Sequence, residues 1–148
     1  VTREEILSVP GGPELDLLVA EHVLGWEWIQ APTFDYHGPL PEQGKVLKPR
    51  DLIVGEPHCL QWPPVGIIPP SYFVNGRAWS RRVDRAWELL IERFSKSYFS
   101  VDHVPSADPD CWFCEIHDYR QVGRLAYAEA PTAPMAICRG ALFAVLGL

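Results

Sequence analysis

Four arginines, Arg77, Arg81, Arg82 and Arg85, crowd one short stretch of the chain, with Trp79 standing among them. On a helix these guanidiniums share about two turns and repel one another unless anions or carboxylates compensate. Asp84 and Glu88 can satisfy part of that charge, which would make the group a solvated, internally paired face. The chemical alternative is a phosphate or carboxylate site, because arginine offers a planar fork of donors. Trp62 and Tyr72 lie nearby in sequence. An aromatic beside an arginine cluster is the composition that holds a nucleotide, the ring stacking on the base and the guanidiniums taking the phosphates. The candidate ligand-binding set is therefore Trp62, Tyr72, Arg77, Trp79, Arg81, Arg82 and Arg85.

Two other constellations carry less. Cys111-x-x-Cys114-x-x-His117 has thiols and an imidazole, which zinc would need to converge tetrahedrally. On a strand, residues three apart face opposite sides, so Cys111 and Cys114 diverge, and buried thiols in a sheet are the plainer reading. His103 and His117 could meet across a hairpin and form an acid–base set with Asp102 or Glu115. No Gly-x-Ser-x-Gly elbow and no glycine-rich phosphate loop is present. The sequence thus assigns no catalytic residue, no metal and no cofactor.

The chain has 148 residues, enough for one domain with a real core, and 47% of them are apolar. A formal net charge of −6 argues against binding extended nucleic acid, though not against a local basic patch. No apolar run reaches the length of a membrane span. The N-terminus VTREEILSVP lacks the basic-then-apolar plan of a secretory signal. The expectation is a cytoplasmic protein with reduced cysteines.

The elements that would position these residues follow from periodicity and turn chemistry. Thr2 and Glu5 form a capping box for a short helix at about 3–8. Pro13 suits the first turn of a second helix at about 13–24, with Leu15, Leu18, Val19 and Val23 buried and Glu14, Asp16 and Glu21 wet. Trp26 to Ile29 alternates as a short strand. Residues 31–70 hold nine of the fifteen prolines and read as a long ordered loop, with short strands at 51–54 and 58–62 and Trp62 as an anchor. A long helix from about 76 or 80 to 96, capped by Asn75 or Ser80, buries Trp79, Val83, Ala86, Trp87, Leu90, Ile91 and Phe94. The period then drops to two. Residues 98–104, 111–117 and 124–129 form an antiparallel meander joined by short turns. Thr132 and Pro134 open a last helix that shows almost no polar face. Met135, Cys138, Leu142 and Val145 line one side of it, and Phe143 projects from the far side. Arg139 pairs with a carboxylate such as Glu129, or contributes to a subunit interface. A helix packed on two sides calls for the proline-rich loop or a second copy of the chain, so Arg139 and Phe143 are the candidate interface residues of a homo-oligomer.

The stretches GGPELDLLVAEHVLGW (11–26), WSRRVDRAWELLIERF (79–94) and EAPTAPMAICRGALFAVLG (129–147) resemble the phage ABA sandwich domain family, small proteins of phages and prophages. The resemblance implies a phage origin and helices on both faces of a sheet, but no settled activity. Similar proteins usually open the long helix with Tyr-Ser-Thr-Asp. Here Trp79, Ser80, Arg81 and Arg82 stand there, and Arg85 replaces a common alanine, so that end is unusually basic. Residues 31–70 match poorly.

The sequence therefore predicts a single-domain α/β (α+β) fold, an α-β-α sandwich with an antiparallel meander of three or more strands, helices on both faces and a long loop across it. Its leading functional reading is a non-catalytic phage accessory protein that binds a small anionic, nucleotide-like ligand, such as an immune messenger sequestered from the host. The alternatives are a phosphoester-cleaving enzyme using His103 or His117, and an interaction protein without a ligand.

Overall fold

The computed structural model describes residues 1–30, 45–52, 70–71, 73–74, 76–105, 111–119 and 123–148. The expected strands at 51–54 and 58–62 fall mostly or wholly outside this set, as do Trp62, Tyr72 and Asn75. The class is the expected mixed α+β sandwich, with four α-helices and two antiparallel sheets among the described residues.

Helix α1 (Arg3–Ser8) opens with the capping box. Thr2 Oγ1 accepts from the Glu5 amide at 3.2 Å, and Glu5 Oε2 accepts from the Thr2 amide at 2.6 Å. Helix α2 (Pro13–Leu18) runs straight into a π-helical segment, Val19–Val23. That wider turn closes with the Leu24 amide on the Val19 carbonyl and the Trp26 amide on the Ala20 carbonyl. Strands β1 (Glu27–Gln30) and β2 (Lys45–Lys48) pair antiparallel, with Glu27 opposite Lys48. Lys48 donates to Glu27 at 2.6 Å, and that bond holds the Glu27 carboxyl below its usual range. Strand β2 lies within the stretch that the prolines marked as loop. It fits in the proline-free interval between Pro41 and Pro49.

After helix α3 (Val83–Arg93), strands β3 (Ser97–Val104), β4 (Cys111–Asp118) and β5 (Arg124–Ala130) form the expected meander in the order β3-β4-β5. Phe99, Val101, Cys114, Ile116, Ala126 and Ala128 share one face through the register pairs Phe99–Ile116–Ala126 and Val101–Cys114–Ala128. Helix α4 (Ala133–Leu146) lies on this face. The approach is close because Gly140 meets the sheet: a Cβ there would sit 3.2 Å from Cys114 Sγ. The π-helical segment, α3 and, more lightly, α1 and α2 pack on α4.

Helix α4 lacks a polar face because its own chain covers it nearly all round. Every residue from Ala136 to Phe143 is buried. Phe143 is 0% exposed, with the Arg3 guanidinium 4.1 Å from its ring centroid. Arg139 donates to the carbonyls of Glu129, Leu7 and Val9. Arg139 and Phe143, expected at a subunit interface, are both buried within the single chain, and among the described residues Arg139 Nε has no hydrogen-bond partner.

The stripe on α3 is also rotated from the expected one. Ala86, Leu89 and Leu90 are buried, whereas Val83, Trp87 and Ile91 are exposed. The expected stripe counted helical steps from Trp79. That residue lies before the helix, in a turn where Ala78 adopts a left-handed φ of 53°. The turn breaks the phase. Trp87, expected in the core, is 39% exposed and lies edge-on against Phe99, with centroids 5.4 Å apart.

Asp16 also departs from the expectation. It was expected on the wet side of α2 and is fully buried. Its Oδ1 accepts from the Ser80 amide at 2.7 Å, while the Ser80 hydroxyl accepts from the Gly12 amide and donates to the Gly12 carbonyl. Ser80 therefore ties α2 to the turn before α3 instead of capping that helix. Asp16 Oδ2 is buried without a partner among the described residues. Burial raises the Asp16 pKa, opposed in part by the Ser80 bonds and by Arg81. A pKa raised by folding stabilises the protein below the unfolded value, and the gain is lost as pH rises through the folded value. Asp16→Asn keeps an acceptor for Ser80 and removes the buried charge. Chemical denaturation from pH 8 down to pH 4 should show wild type gaining stability relative to this variant as pH falls. A difference that is flat in pH would contradict the assignment.

Candidate functional site

A cleft of about 390 Å³ opens between the end of the π-helical segment, the residues after β2, the turn before α3 and one side of α3 itself. Arg50, Arg77 and Arg85 reach it, as do Trp26 and Trp79. Trp26 and Trp79 meet edge to face, with centroids 5.7 Å apart and planes at 75°. The Arg77 guanidinium carbon lies 6.0 Å from the Trp26 ring centroid, within cation–π reach. Trp79 is nearly buried, whereas Trp26 is half-buried.

Local backbone geometry sets this arrangement. Left-handed Ala78 costs on the order of 1 kcal/mol for a residue with a Cβ. Its carbonyl accepts from the amides of both Arg81 and Arg82, which reverses the chain between Arg77 and the helix. The π-helical turn performs the same service for Trp26 by turning residues 24–26 back toward the body.

Asp51, Glu88 and Glu92 line the same cleft, so three carboxylates balance three guanidiniums. Arg85 donates to Glu88 at 2.9 Å, and its Nε is buried without a partner among the described residues. Among the described residues Arg50 and Arg77 form no ion pair with these carboxylates, which leaves them the cations best placed for an incoming anion.

Of the residues singled out from the sequence, Arg77, Trp79 and Arg85 come together here. Arg82 does not join them. It makes a forked bond to Asp84, with distances of 3.1 and 2.6 Å, which holds the Asp84 carboxyl below its usual range. Arg81 is exposed outside the cleft lining. Trp62 and Tyr72 lie outside the described residues. Trp26 and Arg50 were missed. Gly25-Trp26 ends a helical pattern, and Arg50 follows a proline, so neither carries a spacing signal linking it to Arg77.

The other constellations disperse. Cys114 is buried on the inner face, and burial pushes its thiol up to about 12. Cys111 lies on the opposite face, and no metal-ligating group of three or more occurs among the described residues. His103 pairs with Trp112 and His117 with Tyr98. The two histidines are thus five residues apart along the strand, about 17 Å, and on opposite faces. His117 instead approaches Glu115 at 3.5 Å, and Arg124, bonded to Glu115 at 3.0 Å, is the main cause of that carboxyl's lowered pKa. No acid–base pair forms from the two imidazoles. No helix of the described residues is long and apolar enough to cross a membrane.

The fold has a counterpart among solved structures. A crystal structure of a phage protein from Bacillus cereus ATCC 14579 superposes with a TM-score of 0.50 over 93% of this chain and 95% of its own, at 19% sequence identity. No protein-family model and no curated protein matches the sequence. The comparison defines an α+β fold that a phage protein also adopts.

Proposed function

We propose that the cleft binds a small anionic ligand of the nucleotide kind and does no chemistry on it. The observation that carries this reading is the meeting of Arg50, Arg77 and Arg85 with the Trp26–Trp79 pair in one opening. The half-buried Trp26 ring suits stacking with a planar base, and Arg77 and Arg50 suit a phosphate as forked donors. Asp51, Glu88 and Glu92 add acceptors for sugar hydroxyls or a base amino group, which bare phosphate lacks. The separation of His103 from His117 favours binding over phosphoester cleavage. The resemblance of the sequence to phage sandwich proteins, and the phage protein that shares the fold, support placing this activity in a phage accessory protein. Acting in the host cytoplasm, it would withdraw a nucleotide-type immune signal.

Titration calorimetry with a panel of linear and cyclic nucleotides tests the reading. At least one should bind. Arg77→Glu with Arg85→Glu should weaken it more than tenfold, and Arg81→Glu with Arg82→Glu should change it little. Denaturing the complex should return the nucleotide intact. No binding by any member of the panel, or release of hydrolysed products, would refute it.

A further inference from the structure

We infer that the chain pairs with a second copy of itself along β3. This strand forms one edge of the three-stranded sheet, and among the described residues no strand lies on its other side. Soluble proteins protect such edges with charge, proline, bulges or a covering element. The opposite edge is protected in that way: Arg3 donates to the Tyr127 carbonyl at 2.9 Å and Arg139 to the Glu129 carbonyl at 3.0 Å, both on β5. Strand β3 contains no proline, lysine or arginine, Asp102 is its one formal charge, and its register with β4 runs without a bulge from Ser97 to Val104.

Uncovered apolar side chains flank the same edge. Val83, Trp87 and Ile91 follow one another at four-residue steps on α3 and are 56, 39 and 54% exposed. The contact of Trp87 with Phe99 sets this stripe beside the inner face of β3. On the outer face of β3, Tyr98 and Val104 are 56 and 37% exposed. Any strand could satisfy the open backbone. The side chains favour the same strand reversed. In an antiparallel pair centred on Val101, Ser100 lies opposite Asp102 and Tyr98 opposite Val104. Each match occurs twice by symmetry, hydroxyl against carboxylate and ring against valine. The α3 stripe then meets its own counterpart across the two-fold, giving an isologous interface and a continuous six-stranded sheet.

Native mass spectrometry and sedimentation velocity should report twice the 16.7 kDa chain mass. Val83→Glu with Ile91→Glu changes residues that are more than half exposed in the single chain. This variant should return to single-chain mass with unchanged circular dichroism. Amides on the free side of β3 should exchange slowly in the wild type and quickly in the variant. A wild type of single-chain mass, a dimer that survives both charges, or a dimer whose β3 amides exchange quickly would each overturn the assignment.

Discussion

Truncating Phe143 to alanine should destabilise the protein by about 3–5 kcal/mol. A domain of this size has a net stability of roughly 5–15 kcal/mol, so the loss is a large share of the total and at the low end of that range leaves the variant folded only marginally. The ring is fully buried on α4, and its face is occupied by the Arg3 guanidinium. Arg3 cannot simply follow a shrinking side chain. Its Nη2 is committed to the Tyr127 carbonyl at 2.9 Å, with Nη1 at 3.4 Å from the Leu148 carbonyl. The cavity would therefore stay open, which puts the cost toward the upper part of the range. The helix end itself should survive. Gly147 closes it in a left-handed conformation, with its amide and that of Leu148 on the Phe143 carbonyl. Urea denaturation of Phe143→Ala, Arg3→Met and the double variant would measure the loss and a cation–π coupling of about 0.5–2 kcal/mol. A Phe143→Asp chain that stays folded and loses only self-association would instead make the ring an interface anchor.

The parts of the fold written in local pattern were legible. Alternation and short turns gave β3, β4 and β5 almost to the residue. Thr132 and Pro134 marked the start of α4. The sequence also showed that α4 is apolar on more than one side. It could not show what covers those sides, because an apolar surface looks the same whether α3 and the N-terminal helices or another subunit packs on it. Asp16 failed for a related reason. A carboxylate among charged neighbours reads as wet, and its only strong partner, the Ser80 amide, lies 64 residues away.

The candidate site was half legible. Helical counting grouped Arg77, Trp79 and Arg85 with Arg81 and Arg82, but left-handed Ala78 splits that group. Alanine gives no sign of adopting such a conformation, whereas glycine or asparagine would have. Trp26 and Arg50 arrive through a π-helical turn and a β1–β2 pairing, which carry weak sequence signals. The exposed stripe on α3 was visible as apolar spacing, but a helix phase started at Trp79 assigned it to the core.

Replacing Arg139 by methionine should cost about 2–3 kcal/mol, the loss of several charge-assisted hydrogen bonds offset by a lighter desolvation. The expected partner was the Glu129 carboxylate. The structure gives the Glu129 carbonyl instead, at 3.0 Å, while that carboxylate accepts from the Tyr127 hydroxyl. The other amino group of the guanidinium reaches the carbonyls of Leu7 at 2.7 Å and Val9 at 3.2 Å, at the end of α1. A positive charge is favourable at that helix end, and one planar fork joins α1, α4 and β5. Lysine cannot span both sites at once, so Arg139→Lys should recover only part of the loss. Because the acceptors are neutral carbonyls and the group is 7% exposed, screening has little to act on. The loss measured by urea denaturation should be the same in low and in high salt, and hydrogen exchange should localise it to α1 and β5. A loss that vanishes in high salt would point to ion pairing with a carboxylate, and a fully stable methionine variant would remove Arg139 as the tie between these elements.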